Sequence, residues 1–105
     1  MNPEQNAHVY VKYPYRVEAR TNVLYNDEFG IQNVRLFDPD NDNPYDVEII
    51  YSLYVLDEDE ISHWLADTGY LDIAELFMFK LAKWYGCPYN DSYLVDPYES
   101  RCNDG

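Results

Sequence analysis

The sequence predicts a single α+β domain, an antiparallel sheet of about four strands covered on one face by two C-terminal helices. Three observations lead there. Apolar and polar residues alternate through much of the first half, the period of half-buried strands. Two segments of the second half carry apolar residues at helical spacing between an acidic start and a glycine. Strands grouped ahead of helices are, finally, the order in which helices cover one face of an antiparallel sheet. With 105 residues, 47% apolar and 17% aromatic, the chain has the length of one domain, 1–105, and enough apolar surface for a core.

The first strand is expected at His8 to Tyr13, with Val9, Val11 and Tyr13 on one face and Pro14 ending it. Tyr15 to Tyr25 is the clearest amphipathic strand: Tyr15, Val17, Ala19, Thr21 and Val23 share a face, and Arg16, Glu18, Arg20 and Asn22 share the other. Asn26 to Gly30 forms a turn, and Ile31 to Phe37 returns as the second arm of a hairpin. Val47 to Leu56, dense in Ile, Val, Leu and Tyr, reads as a central strand, so strands fill about 8–56. A short helix is expected over 58–68. Asp57 and Glu60 have the spacing of a capping box, Ile61, Trp64 and Leu65 form a stripe, and Gly69 closes it. A longer helix follows over 73–85, behind Asp72 and Glu75 and ahead of Gly86 and Pro88. Its stripe is Ile73, Leu76, Phe77, Lys80, Leu81 and Trp84; Met78, Phe79, Ala82 and Tyr85 widen the apolar surface, which makes Met78 and Phe79 candidates for a homodimer contact. The tail, 86–101, is expected to pack as ordered coil.

Function classes are narrowed by charge. Twenty Asp and Glu face seven Lys and Arg, a net charge of −13. Such a balance repels nucleic acid and anionic membrane, so direct binding of either is not expected. There is no membrane-length apolar run and no basic-then-apolar N-terminus, which points to the cytoplasm. Without an export signal, Cys87 and Cys102 read as two thiols rather than a disulfide, and His8 and His63 are too distant to complete a zinc site. Neither Ser62 beside His63 nor Cys87 with His63 sits in a nucleophile motif, and no P-loop, G-x-G-x-x-G or H-E-x-x-H string occurs. No enzyme and no cofactor is therefore expected. The loop Asp38 to Asp46 starts like an EF-hand, but Asn43 stands where Gly is needed and Ile49 where a bidentate Glu is needed. It reads as a solvated turn, with a calcium-binding module as an alternative.

The acid is unevenly placed. Residues 26–79 hold fourteen carboxylates against Arg35 alone. A domain of this length is roughly 33 Å across, and duplex DNA of that length carries roughly 20 phosphates, a comparable density. The candidate partner-binding residues are the cluster Asp57, Glu58, Asp59 and Glu60, the loop Asp38, Asp40, Asp42 and Asp46 with Tyr45, and the turn Asp27 and Glu28. Twelve tyrosines add the flat amphipathic area that interfaces favour. In size, acidity and tyrosine content the chain resembles the phage-encoded inhibitors that imitate DNA, among them anti-CRISPR, anti-restriction and uracil-DNA glycosylase inhibitor proteins. The resemblance implies a stoichiometric inhibitor, in the host cytoplasm, of a basic nucleic-acid-binding protein: a CRISPR effector first, or a nuclease or repair enzyme. The alternative from another class is a small phage scaffold protein that assembles through the apolar helix 73–85.

Overall fold

The computed structural model describes residues 14–98. The strand expected at 8–13, the last residues of the tail and Cys102 lie outside the described residues. Five strands and one helix follow in order: β1 (Arg16–Asn26), β2 (Gln32–Leu36), β3 (Glu48–Leu56), β4 (Ser62–Thr68), α1 (Leu71–Tyr85) and β5 (Tyr89–Tyr93). β1 is the hub. It pairs antiparallel with β3 along its length, from Arg16 opposite Leu56 to Leu24 opposite Glu48. Its other edge is shared end to end: β5 lies parallel to Val17–Arg20, and β2 lies antiparallel to Asn22–Asn26. Between them the Thr21 hydroxyl donates to the Val95 carbonyl at 2.7 Å and accepts from the Val95 N–H at 2.9 Å, so the side chain closes the gap in the ladder. β4 pairs antiparallel with β3 and forms the far edge.

The described residues hold one helix, which corrects the expectation of two C-terminal helices. The segment expected as helix 58–68 is instead a hairpin turn followed by β4. Asp57 does bind backbone N–H groups ahead of it, as an N-cap would, but these are the N–H groups of Asp59 and Ile61 in a turn. A bulge between Leu53 and Tyr54 of β3 and their β4 partners then turns both Leu65 and Ala66 toward the core. That extra residue breaks the two-residue alternation and imitates helical spacing in the sequence. The tail also differs from the expected coil, since Tyr89–Tyr93 forms β5.

α1 covers one face of the sheet. Val17 and Ala19 of β1, Leu53 and Val55 of β3, and Met78 and Ala82 of α1 make the core. The buried helix positions are Ala74, Met78 and Ala82, spaced by four. Met78 is 0% exposed, so it is core and cannot be the expected homodimer contact. Small alanines on either side of it let the helix approach the sheet closely, and burial of the Met side chain contributes about 2 kcal/mol. Asp72 binds only the N–H of its neighbour Ile73 and Tyr70 is the N-cap, so the expected Asp72–Glu75 capping box does not form. The C-terminus is closed by Gly86 at φ 70°, with Cys87 N–H on the Ala82 carbonyl and Gly86 N–H on that of Lys83, the Schellman arrangement that only a residue free of Cβ strain enters easily.

Candidate functional site

Antiparallel pairing of β1 with β3 decides where the acidic residues go. The turn after β1 and the turn after β3 leave the sheet at opposite ends. From the first to the last of the eleven residues of β1, at a rise of about 3.4 Å per step, the two ends lie about 34 Å apart. Asp27 and Glu28 stand at one end; Asp57, Glu58, Asp59 and Glu60 stand at the other. The structure therefore does not bring the predicted acidic residues into one patch.

At the second tip, Asp57 is engaged internally. Its Oδ1 accepts from Asp59 and Ile61 N–H at 2.9 and 3.0 Å, and its Oδ2 lies 3.0 Å from His63 Nε2. The hydrogen bond from His63, then that from Ile61 N–H, hold its carboxyl below the ordinary range. Glu60 is paired with Arg16 at 3.1 Å. Glu58 and Asp59 project into solvent with no side-chain partner among the described residues. At the first tip Asp27 is engaged in the same way, by Phe29 N–H, Ile31 N–H and Asn33 Nδ2, which leaves Glu28 exposed.

The loop Asp38 to Asp46 is closed on its own donors. Asp42 holds Arg35 through two oxygens at 2.7 and 2.8 Å and also accepts from Asp38 N–H. Asp38 accepts from Asp40 N–H and from Asn41 Nδ2, the latter bond doing most to lower its pKa. Asp46 accepts from Asn43 Nδ2. Asp40 projects, and Tyr45 stacks at a tilt on Tyr98 with 5.2 Å between ring centroids. Of the loop's carboxylates, Asp38, Asp42 and Asp46 are thus bound to guanidinium, amide or backbone donors, and Asp40 stands apart from them. No cluster of three His, Cys, Asp or Glu side chains arranged for a metal occurs among the described residues.

The polar face of β1 carries a feature that sequence reasoning placed but did not interpret. Arg16, Glu18, Arg20 and Asn22 line the sheet opposite the helix, yet Glu18 is only 1% exposed. Its Oε1 accepts from Asn90 of β5 at 3.0 Å and from Arg16, and its Oε2 accepts from Arg20. Burial pushes the Glu18 carboxyl up, but the Asn90 and Arg20 hydrogen bonds and the charges of Arg20 and Arg16 outweigh it, and the net direction is down. The Arg20 guanidinium lies 4.2 Å over the Tyr54 ring, and Asn22 Nδ2 donates to Ser52 and Tyr54 hydroxyls. Beside them opens a cavity of about 500 Å³ lined by Arg20, Asn22, Val34, Leu36, Tyr54 and Tyr93. Opposite charges two residues apart on one strand face were the signal for this network, because a strand presents such residues side by side.

The described residues assemble no nucleophile with a base at these places. Ser62 and His63 are consecutive in β4, opposite Leu56 and Val55, and so point to opposite faces of the sheet. Cys87 is half-buried against the core, and burial pushes its thiol up, away from the thiolate. No helix of the described residues is long and apolar enough to cross a membrane. No family model, curated protein or solved structure matches the chain.

Proposed function

We propose that this protein is a stoichiometric inhibitor that imitates nucleic acid and occupies the basic DNA- or RNA-binding surface of a host defence protein, with CRISPR effectors the first target class. One observation carries the reading. Each described arginine is already held by a carboxylate, Arg16 and Arg20 by Glu18 and Arg35 by Asp42, and Glu28, Asp40, Glu58 and Asp59 project without an ion pair to any described residue. The two acidic tips stand about 34 Å apart across a stiff strand, close to one turn of duplex. Carboxylates at such positions steer a basic partner and punish like charge in it. Catalysis is not part of the proposal.

The test is displacement. Purified CRISPR effectors, a restriction enzyme and a uracil-DNA glycosylase are loaded with labelled DNA, and the protein is added at equimolar amount. Release of DNA from one of them, weakened as salt rises through slower association, supports the proposal. Failure to displace DNA from any of the three classes sinks it.

A further inference from the structure

One edge of β1 changes partner part of the way along, and a hollow lies at the change. β5 runs beside Val17–Arg20 and β2 beside Asn22–Asn26, while the Thr21 hydroxyl bridges the join through Val95. Thr21 shares its face with Val17 and Ala19 of the core, so its neighbours Arg20 and Asn22 point to the other face. There the cavity of about 500 Å³ opens, walled by Arg20, Asn22 and Tyr54, with Val34 and Leu36 on the β2 side and Tyr93 on the β5 side. That volume lies within the roughly 300–1,000 Å³ of small-molecule sites.

Arg20 is the fixed point of this cavity. Its Nε donates to Glu18, and its guanidinium lies 4.2 Å over the Tyr54 ring. That ring is held in turn, since Tyr54 is 9% exposed and its hydroxyl accepts from Asn22 Nδ2. Nη1 and Nη2 of Arg20 make no hydrogen bond to a described residue, and the side chain is 26% exposed. A planar fork of N–H donors, placed in advance and left open, matches the two oxygens of a carboxylate. Arg35 borders the cavity too, but Asp42 holds its guanidinium with both oxygens. The chain has twenty Asp and Glu, yet none lines the cavity among the described residues, and charges of the distant tips are largely screened beyond about 8 Å at physiological salt. Beside the fork Val34, Leu36 and Tyr93 are exposed and form an apolar wall.

We infer that this cavity binds a small organic carboxylate with an apolar body. The carboxylate meets Nη1 and Nη2 of Arg20 end-on, and the body lies on Val34, Leu36 and the Tyr93 ring. The site is independent of the proposed inhibitor function, whose free carboxylates lie outside the cavity.

Titration of the isotope-labelled full chain with phenylbutyrate and with octanoate, followed by NMR, is the test. Saturable shifts of the backbone amides of Arg20, Asn22, Leu36 and Tyr93 are expected with at least one acid, at a dissociation constant below about 5 mM. The amide of that acid, which lacks the charge, and acetate, which lacks the body, bind at least about tenfold more weakly. Leu36→Glu sets a like charge at an exposed position beside the fork and weakens binding at least about tenfold. Arg20→Lys keeps a cation for Glu18 but loses the fork, and weakens binding about tenfold as well. A dispersed spectrum shows that each variant is folded, and Leu36→Glu decides alone if Arg20→Lys is not. No saturable shift with either acid overturns the proposal, as do shifts confined to other residues such as the exposed Trp84 of α1. Equal binding of the amide overturns recognition of the carboxylate. Equal binding of acetate or inorganic phosphate shows an adventitious ion only and overturns the proposal too, as does undiminished binding to folded Leu36→Glu.

Discussion

The two hairpin turns have the same backbone and opposite surfaces. In 27–31 the Asp27 N–H donates to the Ile31 carbonyl, Gly30 N–H donates to that of Asp27, and the Asp27 carboxylate accepts from residues 29 and 31. In 57–61 Asp57, Glu60 and Ile61 repeat each of these bonds. Both are three-residue loops whose last residue is left-handed, Gly30 at φ 79° and Glu60 at φ 62°. Even the sixth residue on corresponds: Asn33 binds Asp27, and His63 binds Asp57. What the turn needs is common to both, namely Asp, a left-handed fourth residue and Ile. What differs is Phe29 against Asp59 and Gly30 against Glu60. The extra acid at the second tip is therefore not demanded by the fold. Glu60 opposes it slightly, since a left-handed non-glycine costs about 1 kcal/mol, offset in part by its ion pair with Arg16. The free carboxylate that the second tip has and the first lacks is that of Asp59, since Glu60 is held by Arg16.

The largest test of that difference is charge reversal. Glu58→Lys with Asp59→Lys should weaken partner binding by about 3 kcal/mol, whereas Glu28→Lys should cost less, as measured by DNA displacement from the partner. Equal losses would show that both tips contact the partner alike. Because Glu58 and Asp59 are exposed and unbonded, unfolding stability should move by less than about 0.5 kcal/mol in the double variant. Removal of the shared element should next affect both turns equally: Asp27→Ala and Asp57→Ala should each lower the urea midpoint, by similar amounts. A neutral result at either Asp breaks the equivalence.

Exchange of the fourth residue sharpens the comparison further. No atom crowds a Cβ at Gly30, so Gly30→Glu should lose only the backbone preference, about 1 kcal/mol. Glu60→Gly regains that preference, loses a surface ion pair and loosens the unfolded chain, and should change stability by less than about 0.5 kcal/mol. The smallest effect should be in acid. Asp57 has its pKa lowered by folding, so its contribution is present above the unfolded value of about 3.9 and lost as pH falls through the folded value. His63→Asn, which copies the first turn, should flatten the fall of the urea midpoint below about pH 4. An unchanged slope would mean that the His63 contact does not set the Asp57 titration.

Local alternation and punctuation in the sequence were enough to place β1, β2, β3 and α1 to within a few residues. A face of Val17, Ala19 and Val23 suits one strand pattern, and Gly86 followed by Pro88 leaves a helix nowhere to continue. The identity of 57–68 was not legible. Asp57 satisfies N–H groups at short range in a helix cap and in a hairpin turn alike, and Ile61, Trp64 and Leu65 fit a helical stripe as well as a bulged strand. Pairing with β3 decided between them, through backbone bonds to residues that the segment itself does not contain. The same holds for β5, whose Tyr89–Tyr93 is a strand only because the first half of β1 leaves an edge open. Charge was countable in the chain, and the concentration of carboxylates in 26–79 with it. That those carboxylates separate to opposite ends of β1, that Glu18 is buried between two arginines, and that α1 turns its alanines inward and Trp84 outward were decided by tertiary structure. Each depends on which edge or face another element occupies, and no local pattern carries that information.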